Sequence, residues 1–194
     1  MPFIVVDDHS EQDGIPSVKA DYRLAARTAV DYLISQGHQK IGFVGNTALP
    51  AFYSQVFSGY EKSLKNANIS INPEWCSQQC IDRDTIENFI EQIFELDEQP
   101  TALFCMEDLL AIEVIRSLQK RGKHVPEDYS VIAIDDIILS GLIYPGLTTV
   151  SLDKEQIGMN AVDILMELIN NNNPKSMVIS SNEIVIRESV QTLN

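Results

Sequence analysis

ALFCMEDLLAIEVIRSLQKRGKHVPEDYSVIAIDD, residues 102–136, decides the fold. Ala102 to Met106 is an apolar run of strand length. An amphipathic stretch of helix length follows from Asp108 to Arg121 and stops at Gly122. Val131 to Ile134 is a second buried strand, ending in Asp135-Asp136. A strand, one helix and another strand return to the same sheet through a right-handed crossover that leaves the strands parallel.

The same rhythm extends outward. Upstream, Phe3 to Val6 is a short buried strand ending in Asp7-Asp8, followed by a polar loop with Gly14 and Pro16. From Asp21 to Gln36 the residues Leu24, Ala25, Ala29, Val30, Leu33 and Ile34 repeat with helical period, and Gly37 ends that helix. Ile41 to Val44 is the next strand. Phe52, Val56, Phe57, Tyr60 and Leu64 line one helical face, Trp75 to Ile81 carries weak strand character, and Ile86, Phe89, Ile90, Ile93 and Phe94 mark another helix. Downstream, Leu147 to Ser151 is a strand, and the helix after it buries Ile157, Ala161, Ile164, Leu165 and Leu168. The polar run Asn170 to Asn173 with Pro174 breaks that helix before two β-rich stretches, Met177 to Ile179 and Ile184 to Val190. The pattern predicts an α/β fold: an open parallel sheet through the strands at Ile41, Trp75, Ala102 and Val131, with helices on both faces.

Composition narrows the function. With 194 residues and 44% apolar content the chain can bury a substantial core. It carries 14 Lys and Arg against 28 Asp and Glu, a net charge of −14, so these residues repel phosphate backbones rather than bind them. No apolar run approaches a membrane span and the start has no signal-peptide pattern, so a cytoplasmic protein is expected. Cys76, Cys80 and Cys105 are an odd set for disulfides, and the histidines His9, His38 and His124 lie far from them in sequence. Reduced thiols are expected rather than a metal site.

In open α/β sheets ligands bind beyond the carboxyl ends of the strands. Acidic pairs stand at three such ends: Asp7-Asp8, Glu107-Asp108 and Asp135-Asp136. Asp108 is placed to N-cap its helix, and Asp136 to start a turn. Asp7 and Asp135, the first residues past buried strands, are the ligand candidates. Such carboxylates either accept hydroxyl hydrogen bonds from a sugar or nucleoside, or hold Mg²⁺ for phosphoryl transfer. The second chemistry lacks a glycine-rich phosphate loop, a nucleophile elbow and a histidine base at a strand end, so no catalytic residue, metal or cofactor is assigned.

Several strings carry a resemblance. HVPEDYSVIAIDD (residues 124–136) resembles the "VPEDVSVIGFDD" signature of the LacI/GalR family of transcriptional regulators, and PGLTTV (residues 145–150) is similar to the "PPLTTV" that follows it there. AVDYLISQGHQKIGF (residues 29–43), Gly59-Tyr60, Pro100-Thr101-Ala102, Ile157-Gly158 and Arg187-Glu188-Ser189 match further family strings in family order, across essentially the whole chain.

The resemblance implies a periplasmic-binding-protein-like effector domain, two α/β lobes around a ligand cleft, with the C-terminal lobe complete and the N-terminal lobe truncated. Residues 1–21 would supply the last N-lobe strand and the first crossover, 22–150 the C-terminal lobe, 151–174 a return to the N-lobe, and 175–194 the closing strands of the C-lobe. It implies sensing of a small effector, a homodimer, and operator DNA contacted only through an N-terminal helix-turn-helix outside these residues. A solute-binding protein for sugar uptake shares the fold and is the alternative. The resemblance places Asp7 and Asp135 at effector hydroxyls and puts Glu107 where the family has Asn. Val56 stands in place of a ligand-clamping Arg, Ile81 near a stacking aromatic, and Leu152 in place of Gln. A carboxylate accepts where Asn also donates, so a neutral or cationic polyol, a sugar or a more apolar molecule is expected, not an anionic one.

Overall fold

The computed structural model describes residues 1–7, 15–80, 82–180 and 182–193. In chain order the elements are β1 (Val5–Val6), β2 (Ser17–Ala20), α1 (Tyr22–Ser35), β3 (Ile41–Val44), α2 (Pro50–Asn66), β4 (Cys76–Ser77), α3 (Arg83–Glu95), β5 (Ala102–Cys105), α4 (Asp108–Lys120), β6 (Ser130–Asp135), β7 (Thr148–Leu152), α5 (Lys154–Ile169), β8 (Met177–Ile179) and β9 (Asn182–Val185). They form two sheets. The large one runs β4-β3-β5-β6-β7-β9, parallel except for β9, which is antiparallel to β7; the small one runs β1-β2-β8, all parallel.

The expected parallel sheet is therefore present. Its order reverses at β3: the chain steps outward to β4, then returns to β5 on the other side. Right-handed crossovers then put α2 on one face and α3 and α4 on the other. The helices pair accordingly, α1 against α2 and α3 against α4. Local chemistry starts the helices where they start. The Asp21 carboxylate accepts from the Leu24 amide at 2.9 Å, Asp82 and Thr85 form a reciprocal capping box, and Asp153 accepts from the Gln156 amide at 2.9 Å. Gly59 lets α2 approach α1, since a Cβ there would stand 2.5 Å from the Arg23 carbonyl and 2.6 Å from the Ala26 methyl. Phe43, Tyr60 and Phe104 fill the core above β3 and β5.

Three expectations change. Ser17–Ala20, read as loop, is the middle strand of the small sheet; four residues with one buried apolar pair give little strand signal. The closing stretch does not serve one lobe, because β8 joins the small sheet and only β9 joins the large one. The last strand is Asn182–Val185 rather than Ile184 to Val190; beyond it the Ser189 hydroxyl and the Arg187 amide bond to β6 and β7 instead of continuing the ladder.

Candidate functional site

Asp135 ends β6, and its backbone leaves the strand at φ 121°, followed by Asp136 at φ 51°. Both angles lie in the left-handed half of the map, which L-residues adopt only where the surroundings hold them. The turn sets the half-buried Asp135 side chain beyond the sheet rather than along it. Burial first, then the charges of Asp108 and Glu107, push its carboxyl up to about 7; Lys154 opposes them and Asp7 adds to them. Glu107 stands at the start of α4, half-buried and making no side-chain cap. Burial, then Asp108, raises its carboxyl too. Neither carboxylate has a hydrogen-bond or ion-pair partner among the described residues.

Asp108 is not the helix cap it was expected to be. Its side chain is fully buried and accepts from the Ile137 amide at 2.9 Å and from the Ser140 and Thr149 hydroxyls at 2.5 Å each. Burial raises its carboxyl, and these three bonds pull it back down. It is a knot fastening α4 to β7 and to the segment after β6. Asp136 is likewise spent internally: the Arg187 guanidinium donates to it at 2.7 Å and to the Leu147 carbonyl at 2.7 Å.

Asp7 comes from the small sheet. It follows β1 at φ 56° and accepts from the Tyr22 hydroxyl at 2.8 Å and the Ala20 amide at 3.4 Å. Burial, then the charges of Asp135 and Asp7, push the Tyr22 hydroxyl far up, so it stays a donor. Tyr22, bonded to Asp7, also feels the charge of Asp135, so the ends of β1 and β6 share one neighbourhood. Lys154, on the first turn of α5, donates its ammonium to the Asp135 and Asp136 carbonyls.

Other expected residues fare differently. Val56 is 0% exposed: it shares the inward face of α2 with Phe52 and Tyr60 and has no surface for a ligand. Leu152, 7% exposed, lines an open pocket of about 370 Å³ with Asp153, Lys154 and Asn182, beside the acids rather than among them. Ile81 and Asp8 lie outside the described residues. Cys76, Cys80 and Cys105 are free thiols, and among the described residues no cluster could hold a metal ion. A larger cavity of about 640 Å³, lined by Phe57, Glu61, Cys76 and Phe89, opens at the β4 edge. It holds none of the strand-end acids.

Comparison with known proteins agrees with the fold. The sequence profile of the periplasmic binding protein-like domain family matches residues 30–190. The chain is 33% identical over 195 residues to the HTH-type transcriptional repressor PurR of Vibrio atlanticus, covering all of this chain and 58% of that protein. It therefore spans little more than half the length of such relatives. A transcription regulator from Lactobacillus plantarum superposes with a TM-score of 0.88 at 27% identity, over 100% of this chain and 74% of that one. A sugar-binding LacI-family regulator from Escherichia coli, complexed with phosphate, superposes with a TM-score of 0.85 at 25% identity, over 99% and 69%. No helix among the described residues is long and apolar enough to cross a membrane. The chain belongs to the periplasmic binding protein-like domain family and is similar along essentially its whole length to LacI-family transcriptional regulators.

Proposed function

We propose that this chain senses a small hydroxylated molecule, a sugar or a compound like one, for a cytoplasmic transcriptional repressor. The observation that carries the reading is that Asp7, from the small sheet, and Asp135 and Glu107, from the large one, all lie within electrostatic reach of the Tyr22 hydroxyl. Carboxylates accept hydroxyl hydrogen bonds, and each charge-assisted bond contributes about 1.5–3 kcal/mol. A polyol bonded to both Asp135 and Asp7 favours the arrangement of the two sheets in which both reach it. That differential affinity is what a ligand needs to shift a conformational equilibrium. The small-sheet lobe takes in residues 1–7, 15–21 and 153–174 with β8, and the large-sheet lobe residues 22–80 and 82–152 with β9. Operator DNA is contacted through a helix-turn-helix module like the one for which the Vibrio relative is named. The strand-end acids bind rather than catalyse.

A second copy of the chain is the other partner. Between β6 and β7, Ile138, Leu142 and Tyr144 are 85%, 73% and 88% exposed. An apolar group of this kind on a charged protein supports a self-complementary contact. Solute uptake, the alternative, uses the same fold, but the relatives are named as regulators.

Calorimetry on the full-length protein with ribose, glucose, cellobiose and their phosphate esters tests the site. Asp135→Ala is expected to weaken binding of the preferred sugar by roughly ten- to a hundredfold, the loss of one charge-assisted bond. Unchanged affinity in that variant, or a phosphate ester as the tightest ligand, overturns the assignment.

A further inference from the structure

Lys154 stands apart from the acids it serves. It is the first residue of α5, whose Ile157, Ala161 and Ile164 are buried and which packs on β2 and β8 of the small sheet. Yet its ammonium turns back across the β7–α5 junction to the end of β6, where it bonds the Asp135 and Asp136 carbonyls, the second at 3.4 Å. Those two carbonyls belong to consecutive residues of positive φ. We propose that Lys154 is the positioning residue of the site, clipping the left-handed turn after β6 so that the Asp135 carboxylate faces the cleft, and tying that carboxylate to the small-sheet lobe.

Two physical consequences follow from one ammonium. As a donor it bonds the carbonyls of both positive-φ residues, and so offsets the cost of the pair. As a charge it is the cation set against the acids around Asp135. From β1 comes Asp7, from α4 come Glu107 and Asp108, and from the same turn Asp136, itself held by Arg187. Tyr22 of α1 faces the group as a neutral hydroxyl. Any change in the relation of the small-sheet lobe to β6 therefore pulls on the Asp135 turn through Lys154, and ligand on Asp135 pulls on α5 in return.

The proposal rests on the reading of Asp135 as a ligand contact, but its test separates the two. Three variants of the full chain divide the roles: Lys154→Arg keeps donor and charge, Lys154→Gln keeps a donor alone, and Lys154→Met keeps neither. The Asp135 carboxyl is titrated by carbon-detected NMR, and the Asp136 and Ile137 amides report the turn. Expected is a wild-type-like titration in Lys154→Arg and an upward shift of about one unit in Lys154→Gln and Lys154→Met, with displaced turn amides in Lys154→Met alone. An Asp135 titration that stays put in all three variants, with the rest of the spectrum unchanged, overturns the proposal. So does a turn undisturbed in Lys154→Met. Ribose is then titrated into wild type and Lys154→Met at pH 6 and pH 8. Binding that falls in Lys154→Met at both values supports the positioning role, and equal affinity in the two proteins counts against it. If ribose and the other sugars bind neither protein, the sugar reading fails while the titration still decides the role of Lys154.

Discussion

At the residue scale, the burial that fits Asp135 to the proposed ligand contact costs the fold stability. Its carboxyl titrates near 7 in the fold against an ordinary value of 3.8, so folding disfavours its charged form. An acid whose folded value is raised contributes full stability below its unfolded value, and that stability is lost as pH rises through the folded one. Asp135→Asn removes the penalty without removing the shape. Thermal unfolding should therefore show the variant clearly more stable than wild type at pH 8 and nearly equal to it at pH 4. Equal melting at pH 8 would mean the carboxylate is well solvated after all. The position of Asp135 was legible in the sequence, because a buried strand fixes where its last residue stands. Its neighbours were not. Lys154, Thr149 and Tyr22 reach the site or its supports from distant parts of the chain, and no local spacing announces such contacts. Asp108 shows the same limit: a helix-start aspartate reads as a cap, while its actual partners come from the segment after β6 and from β7. Val56 shows the reverse, since helical periodicity correctly marks it as core, and core residues do not touch ligands.

At the scale of elements, the large sheet was readable because each of its central strands is a short, continuous apolar run between turn residues, and both faces are buried. The small sheet was less so, being short and half-exposed, and only part of the face expected for the helix α5 that covers it is buried. Ile157 and Ile164 are buried against that sheet and Leu168 is half-buried, while Met159, Val162, Met166 and Ile169 stand outward. Two glycines separate packing from propensity. At Gly59 a methyl group meets the α1 backbone, so Gly59→Ala should destabilise by about 1–3 kcal/mol through overpacking. At Gly158, on the outer side of α5, a Cβ would meet nothing within 4 Å, and Gly158→Ala should stabilise by about 0.5–1 kcal/mol through helix propensity alone. Chemical denaturation of both variants checks the pair; the same sign in each would mean that α1 and α2 do not cross as closely as described.

At the scale of the whole molecule, a net charge of −14 opposes association in general, so any self-association must be local and specific. Two exposed apolar places compete for that role: the outer stripe of α5 with Met177 and Val178 of β8, and the turn carrying Ile138, Leu142 and Tyr144. The turn is the more rigid. Asp108 holds its start through the Ile137 amide and the Ser140 hydroxyl, and Gln119 of α4 holds its end by donating to the Tyr144 carbonyl at 2.9 Å. A surface already fixed loses less conformational freedom on docking, so the same apolar area yields more affinity there. In the proposed contact of like with like across a twofold axis, a substitution acts twice in each dimer. Leu142→Asp with Tyr144→Asp should therefore convert a dimer to a monomer in sedimentation equilibrium at micromolar concentration. Met159→Asp with Val162→Asp, of equal charge cost on α5, should leave the dimer in place. If the α5 pair dissociates it and the turn pair does not, the contact lies on the small-sheet lobe, and ligand bridging Asp7 and Asp135 would then act on the interface directly rather than through the large sheet.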